Sequence, residues 1–307
     1  MAKSKIWLTL LLAVAVYLIM CIYADIDKLI QAFESFQWLY LILLLVLTTL
    51  GYFIRYIKWN YFLQSVGVHL ESRDNLFVFF SGLSMIITPA KMGEIWKGWL
   101  IKEINGEKLA KTIPVVIVDR VTDLLALIIL SLTGIFYYEK GSYLLLIIFL
   151  VFLAFFLVVK SNFISEKLIF FMEKRAGKYS SDVKNMHQTF EETMAPKTLL
   201  VTTILAVAAW FCECLGLFMV VLGFSQYLTL TVSTFVFSFS SLVGAVSMIP
   251  GGLGVAEATI SGLLQFFGLT STVSVGVALI IRLGTLWYGV ILGLVVYLVF
   301  KRKIIKS

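Results

Sequence analysis

Long stretches of apolar residues with almost no charge constrain this sequence more than any other feature. An α-helix needs about 20 consecutive apolar residues to cross the hydrocarbon core of a bilayer. Charged residues make up only 14% of the chain, whereas soluble domains have about 25%. We therefore predict an all-α, polytopic membrane helical bundle with these spans: Ile6–Ala24, Trp38–Ile54, Thr112–Tyr138, Ser142–Val159, Thr198–Phe224 and Thr272–Phe300.

Two further apolar segments are interrupted by proline. Leu76–Thr88 is too short to cross a bilayer and ends at Pro89, and Thr231–Ile249 is followed by Pro250-Gly251-Gly252 and a second short piece, Leu253–Phe267. We predict that both segments enter the membrane and return on the same side, as re-entrant hairpins built from broken helices.

The distribution of lysine and arginine predicts the orientation, because cytoplasmic loops are enriched in both. With a cytoplasmic N-terminus and two re-entrant hairpins, nearly all basic residues face the cytoplasm. Lys28 and Lys140 lie outside, and Arg120 and Arg282 lie within spans. The net charge of +7 is thus explained by a multi-pass protein of the cell membrane with both termini cytoplasmic, without a nucleic-acid partner.

The charged connection 160–197 has two interpretations. Its interleaved apolar residues suit an amphipathic helix on the anionic inner leaflet. An ordinary cytoplasmic loop fits equally well.

The two interrupted segments resemble each other. Pro89-Ala90-Lys91-Met92-Gly93 and Pro250-Gly251-Gly252-Leu253-Gly254 share a pattern of proline, two residues, a long apolar residue and glycine. Arg120 follows the first proline by 31 residues and Arg282 follows the second by 32. We predict one integral membrane domain, 1–307, that contains an inverted repeat with units at about 76–138 and 231–300.

Broken backbone at membrane depth needs protein or water to satisfy its polar groups. Pro250, Gly251, Gly252 and Gly254 therefore predict a substrate site, where a restarted helix turns its positive N-terminus toward an anion. A second such N-terminus is expected near Lys91. The alternative is a tight helix crossing that glycine permits.

Charges within the spans are the other candidate site residues, because an unpaired charge at bilayer depth is costly. Asp119 and Asp123 share a helix face and Arg120 reaches Asp123. These residues form either a purely structural ion pair or a polar seam for a lipid phosphate. Arg282 and Glu213 have no local partner and are expected to pair across helices.

We assign the phosphate of a lipid to Lys91, Arg120 and Arg282. Balancing charges, which could admit a cationic headgroup or a coupling proton, come from Glu94, Asp119, Asp123 and Glu257. Arg55, Lys58 and Trp59 end the second span, where membrane-interface anchoring or headgroup contact is expected. No catalytic residue, metal site or cofactor is predicted, since the cysteines lie in apolar segments and the glycines lack a nucleotide-binding context.

Four stretches together resemble one family. They are Arg55-Tyr56-Ile57-Lys58-Trp59, TPAKMGE at 88–94, Asp-Arg-x-x-Asp at 119–123 and PGGLGVAEA at 250–258. The sequence is similar to the flippase-like transmembrane domain of lysylphosphatidylglycerol synthases and of UPF0104 membrane proteins. That resemblance implies movement of aminoacylated phosphatidylglycerol, which a separate soluble domain synthesises in two-domain members. We expect no such soluble domain here.

Family members often have arginine in place of Lys91 and glutamate in place of Asp119, so the resemblance leaves the headgroup open. We predict a translocator of an anionic or aminoacylated phospholipid or of a polyprenyl-phosphate lipid. One alternative is an intramembrane transferase acting on lipid-linked substrates, of the phosphatidylglycerol lysyltransferase type or associated with glycosyl transfer. Another is a subunit that presents lipid to a separately encoded enzyme.

Overall fold

The computed structural model of the protein describes residues 2–88, 93–136 and 180–304, which form twelve α-helices and no β-strand. In chain order the helices are α1 (Ala2–Tyr23), α2 (Ile26–Glu34), α3 (Leu39–Ser65), α4 (Ser72–Leu83), α5 (Trp96–Asn105), α6 (Leu109–Ser131), α7 (Ser180–Thr193), α8 (Pro196–Gly223), α9 (Leu230–Val246), α10 (Val255–Phe266), α11 (Ser271–Arg282) and α12 (Tyr288–Ile304). A 3-10 turn, Leu132–Phe136, extends α6, and a π-helical segment, Leu283–Trp287, joins α11 to α12.

Three of the described helical stretches are long and apolar enough to cross a membrane. They are Leu39–Ser65, Pro196–Gly223 and the continuous α11–α12 stretch Ser271–Lys301. They agree with predicted spans and confirm an all-α membrane helical bundle. The predicted span Ser142–Val159 and most of the connection 160–197 lie outside the described residues.

Local sequence explains where several of these helices begin and end. Pro196 occupies the first turn of α8, where its missing N–H costs nothing. The Thr229 hydroxyl accepts a hydrogen bond from the Val232 N–H at the start of α9, and Thr270 does the same at α11. Gly106 ends α5 in a left-handed conformation (φ 78°), which glycine adopts without strain.

The second interrupted segment is a true break between two helices. After α9 ends at Val246, the backbone is left-handed at Met248, Gly251, Gly252 and Gly254, with φ values of 56°, 62°, 66° and 85°. Three of these four positions are glycine because L-residues with a Cβ are strained there. A Cβ on Gly252 would lie 3.1 Å from the Gly244 Cα, so the break also packs backbone against backbone on α9. A broken helix and a tight helix crossing were alternative explanations of these glycines from the sequence, and the structure has both.

The first interrupted segment also breaks a helix. Turns follow α4 as far as Thr88, and α5 begins at Trp96. The Gly93 N–H donates to the Thr88 hydroxyl at 2.8 Å, so the two described ends of the segment are in direct contact. Pro89 and Lys91 lie outside the described residues.

Helices of one half of the chain pack against helices of the other half. α3 packs along α8, α4 packs on α12, and α9 packs on α6. Each half thus packs the helix that precedes its broken segment against a long helix of the other half. Two units related by a twofold axis would pack this way, although the inverted repeat and the re-entrant topology stay predictions.

The close packing at Gly252 gives a stability prediction. Gly252→Ala should destabilise the fold by about 2–4 kcal/mol, because it combines a left-handed non-glycine residue with overpacking against α9. Thermal unfolding of the purified protein in detergent measures the effect. The matched control is Gly262→Ala in α10, where a Cβ meets nothing within 4 Å and the helix gains alanine. An equal melting temperature for Gly252→Ala and the wild type would contradict this packing role.

Candidate functional site

A cavity of about 410 Å³ draws its walls from both halves of the chain. The break after α9 contributes Gly251 and Gly252, and the turns after α4 contribute Thr88. Most of the remaining wall is apolar, but three arginines and two carboxylates also reach it: Arg55, Arg120, Arg282, Asp123 and Glu213. These charges are unusual for a cavity inside an apolar bundle.

Arg120 on α6 is held by three carboxylates. Its Nη2 lies 2.9 Å from Glu94 Oε2 and 2.8 Å from Asp119 Oδ2, and its Nη1 lies 3.0 Å from Asp123 Oδ2. The last contact confirms the predicted i,i+3 pairing. The guanidinium side chain is 25% exposed, so it borders the cavity while both terminal nitrogens are engaged.

Two buried lysines balance the same carboxylates. Lys58 on α3 is 1% exposed, and its Nζ lies 2.9 Å from Asp119 Oδ1 and 2.5 Å from Asp123 Oδ1. Lys97 on α5 lies 3.0 Å from Glu94 Oε2. The cluster therefore joins three lysine or arginine cations to three carboxylates, which offsets the cost of removing each charge from water.

Arg282 fastens the second break to α11. Its Nε lies 2.7 Å from Glu257 Oε1, and its Nη2 donates to the Gly251 carbonyl oxygen. Glu257 is fully buried, and its other oxygen accepts the Gly254 N–H at 2.8 Å. Tyr17 on α1 completes the cluster, with its hydroxyl 3.5 Å from Glu257 Oε1.

This second cluster corresponds to the first in one respect. Each half joins a glutamate near its broken segment to the arginine of the following long helix, Glu94 to Arg120 and Glu257 to Arg282. The two glutamates precede their arginines by 26 and 25 residues.

A third ion pair connects α3 with α8. Arg55 Nη1 lies 2.6 Å from Glu213 Oε1, and both side chains are nearly buried. The guanidinium carbon is 4.3 Å from the centre of the Trp210 ring, a distance that gives a cation–π attraction. This pair is the direct electrostatic link between the two longest helices of the bundle.

Several site predictions need correction. Lys58 and Trp59 were expected at the membrane interface, but both are buried inside the protein, where Trp59 donates to Asn75 at 3.0 Å and Lys58 binds α6. Arg55 lines the cavity, so of its two expected roles membrane-interface anchoring is wrong and headgroup contact stays a prediction. The reason is that α3 lies against α6 and α8, so its charged end faces the protein interior and not the membrane surface.

The helix N-terminus expected to attract an anion is also already satisfied. Glu257 caps α10 by accepting from Gly254, so the helix dipole there is compensated by a carboxylate of the same helix. The corresponding N-terminus expected near Lys91 falls outside the described residues.

Lys97 and Trp210 were not among the predicted site residues, and Glu213 was not assigned a role in lipid binding. Glu213 was expected to pair across helices, and its partner Arg55 could have been found by asking which cation lies at similar depth in a neighbouring span. Lys97 follows Glu94 by three residues, so helical spacing signals that pair. Nothing in the sequence signals that Trp210 lies under Arg55.

Lys58 should be essential for the stability of the first cluster. Lys58→Met leaves Asp119 and Asp123 with one cation fewer in a buried site, and we expect about 3–5 kcal/mol of destabilisation. Thermal unfolding in detergent measures it. Lys108→Met is the control, because Lys108 is 61% exposed and 3.5 Å from Asp182, and such pairs contribute about 0–1 kcal/mol. Similar stability of both variants would show that Lys58 is not needed to hold the carboxylates.

Comparison with known proteins supports a family assignment. Residues 6–293 match the family model described as the lysylphosphatidylglycerol synthase TM region. A UPF0104 membrane protein of Methanocaldococcus jannaschii is 25% identical over 233 residues, covering 72% of this chain and 95% of the relative.

Two longer matches extend over nearly the whole chain. A UPF0104 membrane protein of Methanothermobacter thermautotrophicus is 22% identical and covers 92% of this chain and 90% of its own length. One from Pyrococcus horikoshii is 22% identical with 99% of each chain covered. Together with the apolar helical bundle, the match of the family model over nearly the whole chain shows that this protein is a membrane protein of the lysylphosphatidylglycerol synthase TM region family.

Proposed function

We propose that the protein is a lipid translocator of the cell membrane, with both termini in the cytoplasm. Its substrate would be an anionic or aminoacylated phospholipid or a polyprenyl-phosphate lipid. The observation that carries this proposal is the cavity that three arginines and both broken segments share. Three basic groups against two acidic ones, in a largely apolar cavity, suit a phosphate headgroup whose acyl chains remain mostly in the bilayer.

The size of the cavity supports headgroup binding. About 410 Å³ falls within the range of small-molecule sites, which is about 300–1,000 Å³. Apolar groups such as Leu124, Leu127 and Phe237 line much of it, so the upper part of an acyl chain could follow the headgroup. The family description, which names a lipid-modifying enzyme, agrees with a lipid substrate.

The helix contacts between the two halves support a transport motion. Because α4 packs on α12 and α9 packs on α6, a rocking of one half against the other would alter both contacts together. The pairs Glu94–Arg120 and Glu257–Arg282 each lie within one half, so they would move as parts of their own unit. Arg55–Glu213 joins α3 to α8 and would lie at the pivot.

Substitution of Arg282 tests the proposal. Arg282→Gln removes the cation that joins Glu257 to Gly251, so the broken segment loses its anchor and the cavity one positive charge. We expect lipid movement to slow at least about tenfold, which corresponds to the loss of one charge-assisted hydrogen bond. The assay follows fluorescent phospholipid probes in vesicles that contain the purified protein.

Lys28→Gln is the matched control, since Lys28 is an exposed cation on α2 paired with Asp25 and its loss should leave the rate unchanged. The proposal would be overturned if anionic, aminoacylated and polyprenyl-phosphate lipid probes all moved no faster in vesicles with the wild-type protein than in protein-free vesicles. Mass spectrometry of the recovered lipids distinguishes a translocator from a transferase, because only a transferase would change the lipid covalently.

A further inference from the structure

We infer that Arg55 and Glu213 form the headgroup-selective part of the cavity, with Arg55 binding a phosphodiester and Glu213 binding an ammonium. The headgroup that fits carries one of each and has a net charge of zero. This inference rests on the proposed function, because it assigns lipid binding to two residues of the same cavity. It narrows the substrate to a headgroup with one phosphodiester and one ammonium, which is either phosphoethanolamine or a phosphoglycerol ester with a single ammonium group.

One edge of the Arg55 guanidinium has two donors that are not used within the described residues. Its Nη1 contacts Glu213 at 2.6 Å, while its buried Nε and Nη2 have no hydrogen-bond partner within the described part of the chain. The Nε–H and one Nη2–H bond lie side by side in the guanidinium plane, along one edge that can donate to two oxygens of a phosphate. A phosphate on this edge would satisfy both donors without displacing Glu213.

The other two cavity arginines are already engaged. Arg282 uses the equivalent edge, Nε and Nη2, on Glu257 and the Gly251 carbonyl. Arg120 directs both terminal nitrogens at carboxylates 2.8–3.0 Å away. Among the described residues, Arg120 has one nitrogen, Nε, without a hydrogen-bond partner, whereas Arg55 has two. A two-nitrogen grip on phosphate by Arg120 or Arg282 would break an existing pair, so Arg55 is the arginine that can bind phosphate at least cost.

Charge then determines what else the headgroup must carry. The Arg55–Glu213 pair is neutral, and a bound phosphodiester adds one negative charge beside a carboxylate that is 6% exposed. An uncompensated charge in such a site is strongly unfavourable. One ammonium on Glu213 restores neutrality.

The same charge balance extends to the rest of the described site. Lys58, Lys97 and Arg120 match Glu94, Asp119 and Asp123, and Arg282 matches Glu257. A phosphoglycerol headgroup would leave one excess negative charge, and its lysyl ester, with two ammonium groups, one excess positive charge. The zwitterionic headgroup leaves none.

Binding of three short-chain lipids to the full-length protein in detergent tests the inference, with phosphoethanolamine, phosphoglycerol and lysyl-phosphoglycerol headgroups. Titration calorimetry should show phosphoethanolamine binding at least about tenfold tighter than the other two. Arg55→Lys keeps the charge but removes the two-nitrogen edge, and should weaken every probe about tenfold. Glu213→Gln should abolish the preference for phosphoethanolamine over phosphoglycerol.

Two further variants control for folding and for general charge effects. Arg55→Gln combined with Glu213→Gln leaves no unpaired charge and should fold while losing both affinity and preference. Lys108→Gln combined with Asp182→Asn removes a matched ion pair at the surface and should bind as the wild type does. Stronger wild-type binding of phosphoglycerol or of its lysyl ester would overturn the inference, as would unchanged preference in Glu213→Gln.

Failure of this inference is distinguishable from failure of the proposed function. If the wild type moves all three lipids in vesicles at one rate, and Glu213→Gln does not change that rate, the protein is a translocator but Arg55 and Glu213 do not select the headgroup. Selective binding of phosphoethanolamine without movement of any lipid would support headgroup binding by Arg55 and Glu213 and would contradict the proposed translocator function.

Discussion

The pairing of buried charges is the constraint on which this structure depends. An isolated charge removed from water costs several kcal/mol, and the described ion-pair clusters hold five basic side chains, three of which line the cavity. Each of them lies within 3.0 Å of a carboxylate. The helices that carry these groups, α3, α5, α6, α8, α10 and α11, must therefore adopt the relative positions that keep every charge paired.

These pairs differ in what they leave available. Arg120 and Arg282 fasten elements of their own half, since one binds Glu94 near the first broken segment and the other binds Glu257 and Gly251 at the second. Arg55 joins α3 to α8 and keeps two nitrogens without a hydrogen-bond partner among the described residues. Among the three cavity arginines, Arg55 is thus the one with an edge of two nitrogens not engaged within the described residues.

Some of these contacts could be predicted from the sequence and others could not. The i,i+3 pair of Arg120 with Asp123 and the position of Glu257 in the first turn of α10 follow from helical spacing and a short motif. Lys58 was expected at the interface because it ends an apolar span, and only the packing of α3 against α6 shows that it binds Asp119 and Asp123. Spacing along one helix reports local neighbours, whereas the partner of a charge across the bundle depends on how helices are arranged.

The sequence by itself determined the class of the molecule: an all-helical membrane protein with two proline-interrupted segments and charges that had to find partners. Glycine at 251, 252 and 254 determined the break as well, because the left-handed backbone there is a local property. Only the tertiary structure decided which charges meet, that Arg55 enters the cavity and that Arg282 is already occupied. Hydrophobicity acts residue by residue and is visible in a sequence, but electrostatic pairing depends on distances between helices that the folded chain alone sets.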